Sequence, residues 1–305
     1  MKSEPAVSVV IPFLNSARFL REAVESVVRQ TFDSWELILV DDGGSDGSHE
    51  IALGLEHEFT GRIRYCSHAG RANKGTSASR NLGASLGRGR YIARLDHDDR
   101  WDTVHLERQV GILEANPACA MVFGPMVLWN DGEAPGTGNE AIQQLSVRIP
   151  AVLPPPSFVP LMLSGRNDPH GILIKRSVFD EVGGYESAAG NFCEDWSLYV
   201  KVALRYPIYI DDKATYWWRQ HPDSYCRTLG RRGGTAAGHA EFWNWFERYL
   251  DEHGIKDRAV RRALMINRLR TRSEWSERAW KLAGKARRAW QAVVHRRLRS
   301  RGPTI

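Results

Sequence analysis

Residues 36–48 read Glu-Leu-Ile-Leu-Val-Asp-Asp-Gly-Gly-Ser-Asp-Gly-Ser. The aliphatic run at 36–40 is short and bounded by turn-forming residues, which predicts a strand buried on both faces. The acidic, glycine-rich cluster from 41 to 48 follows its carboxyl end. Working outward, Val7–Ile11 is a β-branched run ended by Pro12, and Asn15-Ser16 then offers an N-cap region. Phe19, Leu20, Ala23, Val24, Val27 and Val28 recur at helical spacing. A helix is predicted over 48–58, a strand over 62–66, a helix over 77–85 and a strand over 91–95. That last strand is closed by Asp96-His97-Asp98-Asp99. Strands alternating with helices of this length imply βαβ units and a parallel sheet, hence an α/β fold. Ligands of open α/β sheets bind outside the carboxyl ends of the strands. Here those ends carry the polar clusters 12–15, 41–46 and 96–99.

The chain has 305 residues, 42% hydrophobic and 26% charged, an ordinary globular balance that excludes wholesale disorder and collagen-like repeats. Cys66, Cys119, Cys193 and Cys226 form no CxxC pair, so neither a disulfide framework nor a cysteine metal site is expected. A reducing compartment fits that usage. No secretory signal is visible and no run of about 18 apolar residues exists. A cytoplasmic location follows as the expectation, peripheral on the inner face of the membrane if a membrane is involved. The longest apolar run, 118–129, reads as one buried strand. Beyond residue 130 the pattern loosens: 130–138 is a loop, and 150–160, with five prolines, reads as irregular or a linker. Residues 171–175, 208–210 and 215–218 read as strands, 192–205 as a helix, 230–234 as a glycine hinge, and the rest as helices. The pattern therefore reads as one α/β unit over 1–229, regular to about residue 100 and looser after it. Residues 230–305 form a basic, tryptophan-containing helical extension.

Carboxylates crowded at 96–99 repel one another unless a cation or donor network balances them. Hard oxygen ligands suit Mg²⁺ or Mn²⁺, and such ions are commonly shared with substrate phosphates. A solvated acidic turn is the plain alternative; the position at a strand end facing two other polar clusters favours the site. The 41–47 cluster half resembles a calcium loop. Counted from Asp42, however, position 12 is Leu53 instead of Glu, which rejects an EF-hand. A carboxylate there could accept a base N–H or a ribose hydroxyl, while turn and cap chemistry accounts for Ser45, Asp46 and Ser48. Lys74 and Arg80, between strand and helix, could offset diphosphate charge. No Walker motif and no GxGxxG is present, so ATP of that type and NAD lack support. Glu194 and Asp195 open a helix, where acids serve either as dipole partners or as a general base. His221 draws interest through its neighbours, Trp217, Trp218, Arg219 and Gln220.

These segments together resemble family 2 glycosyltransferases of the GT-A fold. They are "VSVVIPFLN" at 7–15, "SVVRQTF" at 26–32, "ELILVDDGGSDGS" at 36–48, "NKGTSASRNLGAS" at 73–85 and "GRYIARLDHDD" at 89–99. "VGGYES" at 182–187, "EDWSLYVKVAL" at 194–204 and "WWRQHPDS" at 217–224 complete the series. The likeness spans about residues 7–225 in the right order; Phe13-Leu14 departs from the more usual Thr-Tyr, and Gly44 stands where the family's Asp-Asp-Gly-Ser-x-Asp pattern varies. It implies that 1–229 is the catalytic unit, with a nucleotide-sugar half to about 100 and an acceptor half from about 101. It also implies inverting transfer from a nucleotide-sugar, most often UDP-linked, to an acceptor hydroxyl on a glycan or lipid-linked saccharide. Pro12 and Asn15 would line the nucleotide pocket, Asp42 would bind the base, and Asp96 would contact ribose or sugar. Asp98 would hold Mn²⁺ or Mg²⁺, and His221 would cap the diphosphate or metal. Asp195 would be the catalytic base with Glu194 as neighbour or substitute. Residues 165–170 could line the acceptor cleft.

The charge is uneven. Residues 256–305 carry 16 Lys and Arg against three Asp and Glu, a net +13, whereas residues 1–255 sum to −7. Apolar residues at 275, 279, 282, 286, 289 and 293 form a helical stripe beside Trp280 and Trp290. Such a stripe suits an anionic membrane interface. It equally suits an arm packed on the catalytic domain or on a second subunit of a homo-oligomer. Two rivals from other classes are a sugar-nucleotide nucleotidyltransferase and a non-enzymatic polyanion binder. The first lacks a glycine-rich loop after the first strand. The second leaves the acidic clusters unexplained, and no nucleic-acid partner is expected.

Overall fold

Val7, Val9 and Ile11 of β1 (Val7–Phe13) point to one side of a sheet and Val10 to the other, and every residue of the strand is buried. β2 (Trp35–Asp41) repeats the alternation, with Leu37 and Leu39 on the first side and Ile38 and Val40 on the second. Both faces must therefore be covered, and helices do so. The structure is a computed structural model describing residues 4–133, 136–165, 167–190, 193–225, 227–228 and 235–272. The hinge expected at 230–234 and the apolar stripe at 275–293 lie outside the described residues.

Connecting these strands are α1 (Leu20–Val28), α2 (Ser48–Glu58) and α3 (Thr76–Leu86), with β3 (Ile63–Ser67) and β4 (Tyr91–Arg94) completing the parallel half. Gly83 lets α3 lie flat on the sheet: a Cβ there would stand 2.4 Å from Val10 Cγ1. Past β5 (Arg100–Trp101) and α4 (His105–Ala115), β6 (Met121–Gly124) and β7 (Met126–Asn130) follow. β8 (Ala141–Ile142), β9 (Ala151–Leu153), α5 (Phe158–Leu163), β10 (His170–Lys175), α6 (Arg176–Glu181) and α7 (Glu194–Ala203) come next. β11 (Ile208–Ile210), β12 (Tyr216–Gln220), α8 (Thr235–Glu252) and α9 (Arg258–Arg272) close the described chain. The main sheet runs β3-β2-β1-β4-β10-β6-β11-β9, with β10 antiparallel to both β4 and β6. A second sheet, β5-β12-β7-β8, stands beside it.

Two sequence expectations fail. The run 118–129 is two strands in different sheets, because Pro125 cannot donate to a ladder and breaks the run. The proline-rich 150–160 segment is no linker: it supplies β9 and opens α5, which buries Phe158, Val159, Met162 and Leu163. Pro160 falls in the first turn of that helix, where its missing N–H costs nothing. The aromatic face of α8 (Phe242, Trp243, Phe246, Leu250) and Val260 and Leu264 of α9 share one core with Leu198 and Tyr199 of α7.

Candidate active site

Asp41, at the end of β2, is fully buried. It accepts hydrogen bonds from the Gly43 and Gly44 amides, the Tyr65 hydroxyl (3.0 Å) and Arg71 Nε (2.9 Å). Burial works to raise its pKa, but those donors hold the carboxyl below its ordinary value. Arg71 also donates to the Gly44 carbonyl (2.8 Å), clasping one loop to the other. Gly43 permits the approach: its φ is +87° and a Cβ would lie 2.4 Å from the Arg71 carbonyl oxygen. The next residue, Asp42, accepts the amides of Lys74 (2.8 Å) and Gly75 (3.1 Å), so it shapes the entry to α3. Asn15, in the left-handed region at φ 50°, accepts the Ser45 amide (2.8 Å) and ties β1 to this loop. Pro12 is buried within β1 opposite Val40, and Lys74 is exposed at the mouth of the α3 loop.

Two buried guanidiniums organise the next layer. Arg80 donates to Glu194 (2.8 Å) and to Asp96 (2.9 Å). Arg94 donates to Asp195 (3.3 Å) and lies 3.8 Å from Asp96. The order Glu194–Arg80–Asp96–Arg94–Asp195 alternates in sign and joins α3, β4 and α7. Burial opposes ionisation of Asp96, yet Arg94 and Arg80 hold its carboxyl far below the usual range. Glu194 is pushed upward, first by burial and also by Asp195, against Arg80. Asp195 accepts the Trp196 amide (2.9 Å) and sits in the first turn of α7, where the helix dipole favours negative charge.

Asp98 and His221 meet at 3.0 Å between Oδ2 and Nε2. Burial raises Asp98, but the His221 hydrogen bond and the nearby His97 outweigh it and keep the carboxyl low. Asp99 turns inward to bond the Tyr216 hydroxyl and the Arg219 amide (2.8 Å), fixing β12 under the site. Arg219 in turn donates to the Asp98 carbonyl (2.7 Å). Among the described residues no three His, Cys, Asp or Glu side chains are grouped to hold a metal. The donors that are present still suit a hard divalent ion. A carboxylate and an imidazole lie side by side, and His221 Nδ1 is buried without a hydrogen-bond partner among the described residues. Such ions often take one or two protein ligands and complete their shell from phosphate and water.

Sequence reading missed several participants. Arg94 is one, although a charge inside the apolar run 91–95 was a usable signal, since buried charges must be paired. Asp168 and His170 belong to the segment assigned only loosely to an acceptor cleft. Burial and the charge of Asp195 push the Asp168 carboxyl up to about 7, against a hydrogen bond from Trp196. Its Oδ1 is buried with no partner among the described residues. His170 stacks on Trp218 (5.7 Å between centroids), and burial draws its imidazole down to about 4. Thus Arg80, Asp96, Glu194 and Asp195 converge in one network and Asp98 pairs with His221. Asp42 and Asn15 shape the loops at the ends of β1 and β2.

The sequence profile described as "Glycosyl transferase family 2" matches residues 8–183. The chain is 34% identical over 188 residues to the "Putative glycosyltransferase EpsE" of Bacillus subtilis (strain 168), covering 61% of this chain and 62% of that one. It is 29% identical over 222 residues to an "Uncharacterized glycosyltransferase" of Rickettsia felis (strain ATCC VR-1525 / URRWXCal2), covering 72% and 35%. A third relative is the "Putative teichuronic acid biosynthesis glycosyltransferase TuaG" of Bacillus subtilis (strain 168), 34% identical over 132 residues, covering 42% and 50%. The chain therefore spans between about a third and two thirds of the length of these relatives. Among solved structures, S. aureus TarS 1-349 in complex with UDP-GlcNAc superposes with a TM-score of 0.54 at 15% identity, covering 80% of this chain and 72% of that one. The mannosyltransferase PcManGT from Pyrobaculum calidifontis, in complex with GDP-Man and Mn²⁺, gives 0.63 at 17% identity, covering 99% and 82%. These likenesses show the fold, an α/β arrangement of the GT-A type.

Proposed function

The chain belongs to glycosyltransferase family 2 and is a transferase, and on that premise we propose how its site works. It transfers a sugar, with inversion, from a UDP-linked donor to a hydroxyl of a glycan or lipid-linked saccharide. The observation that carries this reading is the alternating network Glu194–Arg80–Asp96–Arg94–Asp195, which links the donor side of the sheet to a carboxylate at a helix start. Asp195 takes the proton of the acceptor hydroxyl. The oxygen so freed attacks the anomeric carbon from the face opposite the leaving group. The glycosidic C–O bond breaks and its electron pair leaves with the nucleoside diphosphate. One carboxylate suffices for such a single displacement, and general-base help of this kind is worth about 10²–10⁴ in rate.

Asp42, Asn15 and Pro12 shape the base pocket. Asp96, held ionised by two guanidiniums, accepts a donor hydroxyl, while Lys74 and Arg80 offset diphosphate charge. Glu194 keeps Arg80 in place. Asp98 and His221 would hold Mn²⁺ or Mg²⁺, which when bound supplies Lewis-acid stabilisation of the departing diphosphate. TarS is in complex with UDP or UDP-GlcNAc and PcManGT with GDP-Man and Mn²⁺, which supports a nucleotide-sugar and a divalent ion. The name of TuaG supports a polysaccharide acceptor. A panel of UDP-, GDP- and dTDP-sugars, each with Mn²⁺, tests the proposal by thermal shift and donor hydrolysis. One UDP-sugar is expected to stand out; absence of any response from the whole panel sinks the reading.

A further inference from the structure

The outer face of α9 differs from its inner face in a way that catalysis does not explain. Inward, Val260 and Leu264 are buried in the core. Asn267 donates to the Leu163 carbonyl (3.0 Å) at the end of α5, and Thr271 receives the Trp243 indole N–H (3.1 Å). Arg261 and Arg268, on the flank, pair back to Asp251 and Glu247 of α8. Outward, Arg258, Arg262, Met265 and Leu269 follow one another at spacings of four, three and four, which puts all four on one face. Met265 is 56% exposed and Leu269 59% exposed, more than any other large hydrophobic residue among the described residues. Arg258 and Arg262 are exposed beside them.

We infer that this outer face of α9 docks on an anionic lipid bilayer, with Met265 and Leu269 entering the interface and Arg258 and Arg262 meeting lipid phosphates. Charge argues for that occupant. The helix lies in a 50-residue segment of net +13, while the remainder of the chain sums to −7, so an anionic surface attracts this end of the molecule. Apolar side chains ringed by arginine on one helix face are what an interfacial helix presents. A second copy fits less well. Two apolar side chains fall far short of the roughly 1,200 Å² that a stable interface buries. The inner face adds a geometric consequence. Through Asn267, α9 is bonded to α5, and five residues after α5 comes Asp168, beside Asp195. A docked α9 would thus hold the acceptor side of the site close to the lipid surface.

Flotation of the full chain tests this without any nucleotide-sugar, so its failure is distinct from failure of the catalytic reading. Vesicles of phosphatidylcholine mixed with phosphatidylglycerol should carry the protein upward, vesicles of phosphatidylcholine alone should not, and added salt should release it. Met265→Asp with Leu269→Asp should lower binding at least about tenfold. Arg258→Gln with Arg262→Gln should lower it about 25-fold, on a factor of about five for each arginine. All four side chains are exposed, so both double variants should keep the wild-type melting temperature. Equal flotation with neutral vesicles overturns the inference, as does no flotation at all. It is also overturned if both variants float like wild type, or if a concentration-dependent dimer is lost in them while lipid binding is absent.

Discussion

Asp195 and Asp168 are acids in one neighbourhood with different surroundings, and single substitutions separate their roles. Asp195→Asn should cut turnover by about 10²–10⁴ while calorimetry still detects donor binding; near wild-type turnover would remove Asp195 as the base. Asp168 should act on stability with a definite sign. Its folded carboxyl lies near 7 against a reference of 3.8, so the native state binds more protons than the unfolded chain between those values. Stability therefore falls as pH rises through that window. Asp168→Asn should be the more stable protein at pH 8, by roughly 2–4 kcal/mol, with the advantage fading towards pH 4. Urea unfolding of both proteins across that range checks it, and a constant difference would sink the argument.

At the scale of elements, Gly83 sets how closely α3 approaches β1, and Arg80 stands one turn earlier on the same helix. Gly83→Ala should cost about 1–3 kcal/mol by overpacking against Val10 and should raise the donor KM through a displaced Arg80. Leu264→Ala, on the inner face of α9, should cost about 2–5 kcal/mol, so removing α9 outright would damage the core. The strands of the parallel half and α1 were legible from their apolar period, whereas α2 and α3, whose buried faces carry Ser48, Ser77, Ser79 and Arg80, were legible from their place between those strands. α4 was not read: His105 and Gln109 share its buried face with Leu106 and Val110 and blur the period. β5 and β8 have two residues each, too short to show any period. The polar clusters at the strand ends were legible from position in the sequence. The pairing of Arg94 with Asp195, 101 positions apart, was not, since only the closed sheet brings them together.

For the molecule as a whole, donor and metal should act as ligands of the native state alone. Mn²⁺ with a UDP-sugar at about a hundred times its Kd should stabilise the chain by about 2.7 kcal/mol. That raises the melting temperature by about 5 °C in a protein of this size. Chelation, or Asp98→Ala with His221→Ala, should abolish the metal-dependent part of that rise; an unchanged rise would move the ion elsewhere. The reversal of β10, inside a sheet whose edge strand β9 is also antiparallel, has its own consequence. Because β10 runs against β4, its first residues emerge along the rim where β4 finishes. Had it run the other way, Asp168 and His170 would have been delivered to the underside of the sheet, a full strand length from Asp96. Turning β10 around lets a late stretch of chain furnish a wall beside Asp195 without any long return loop.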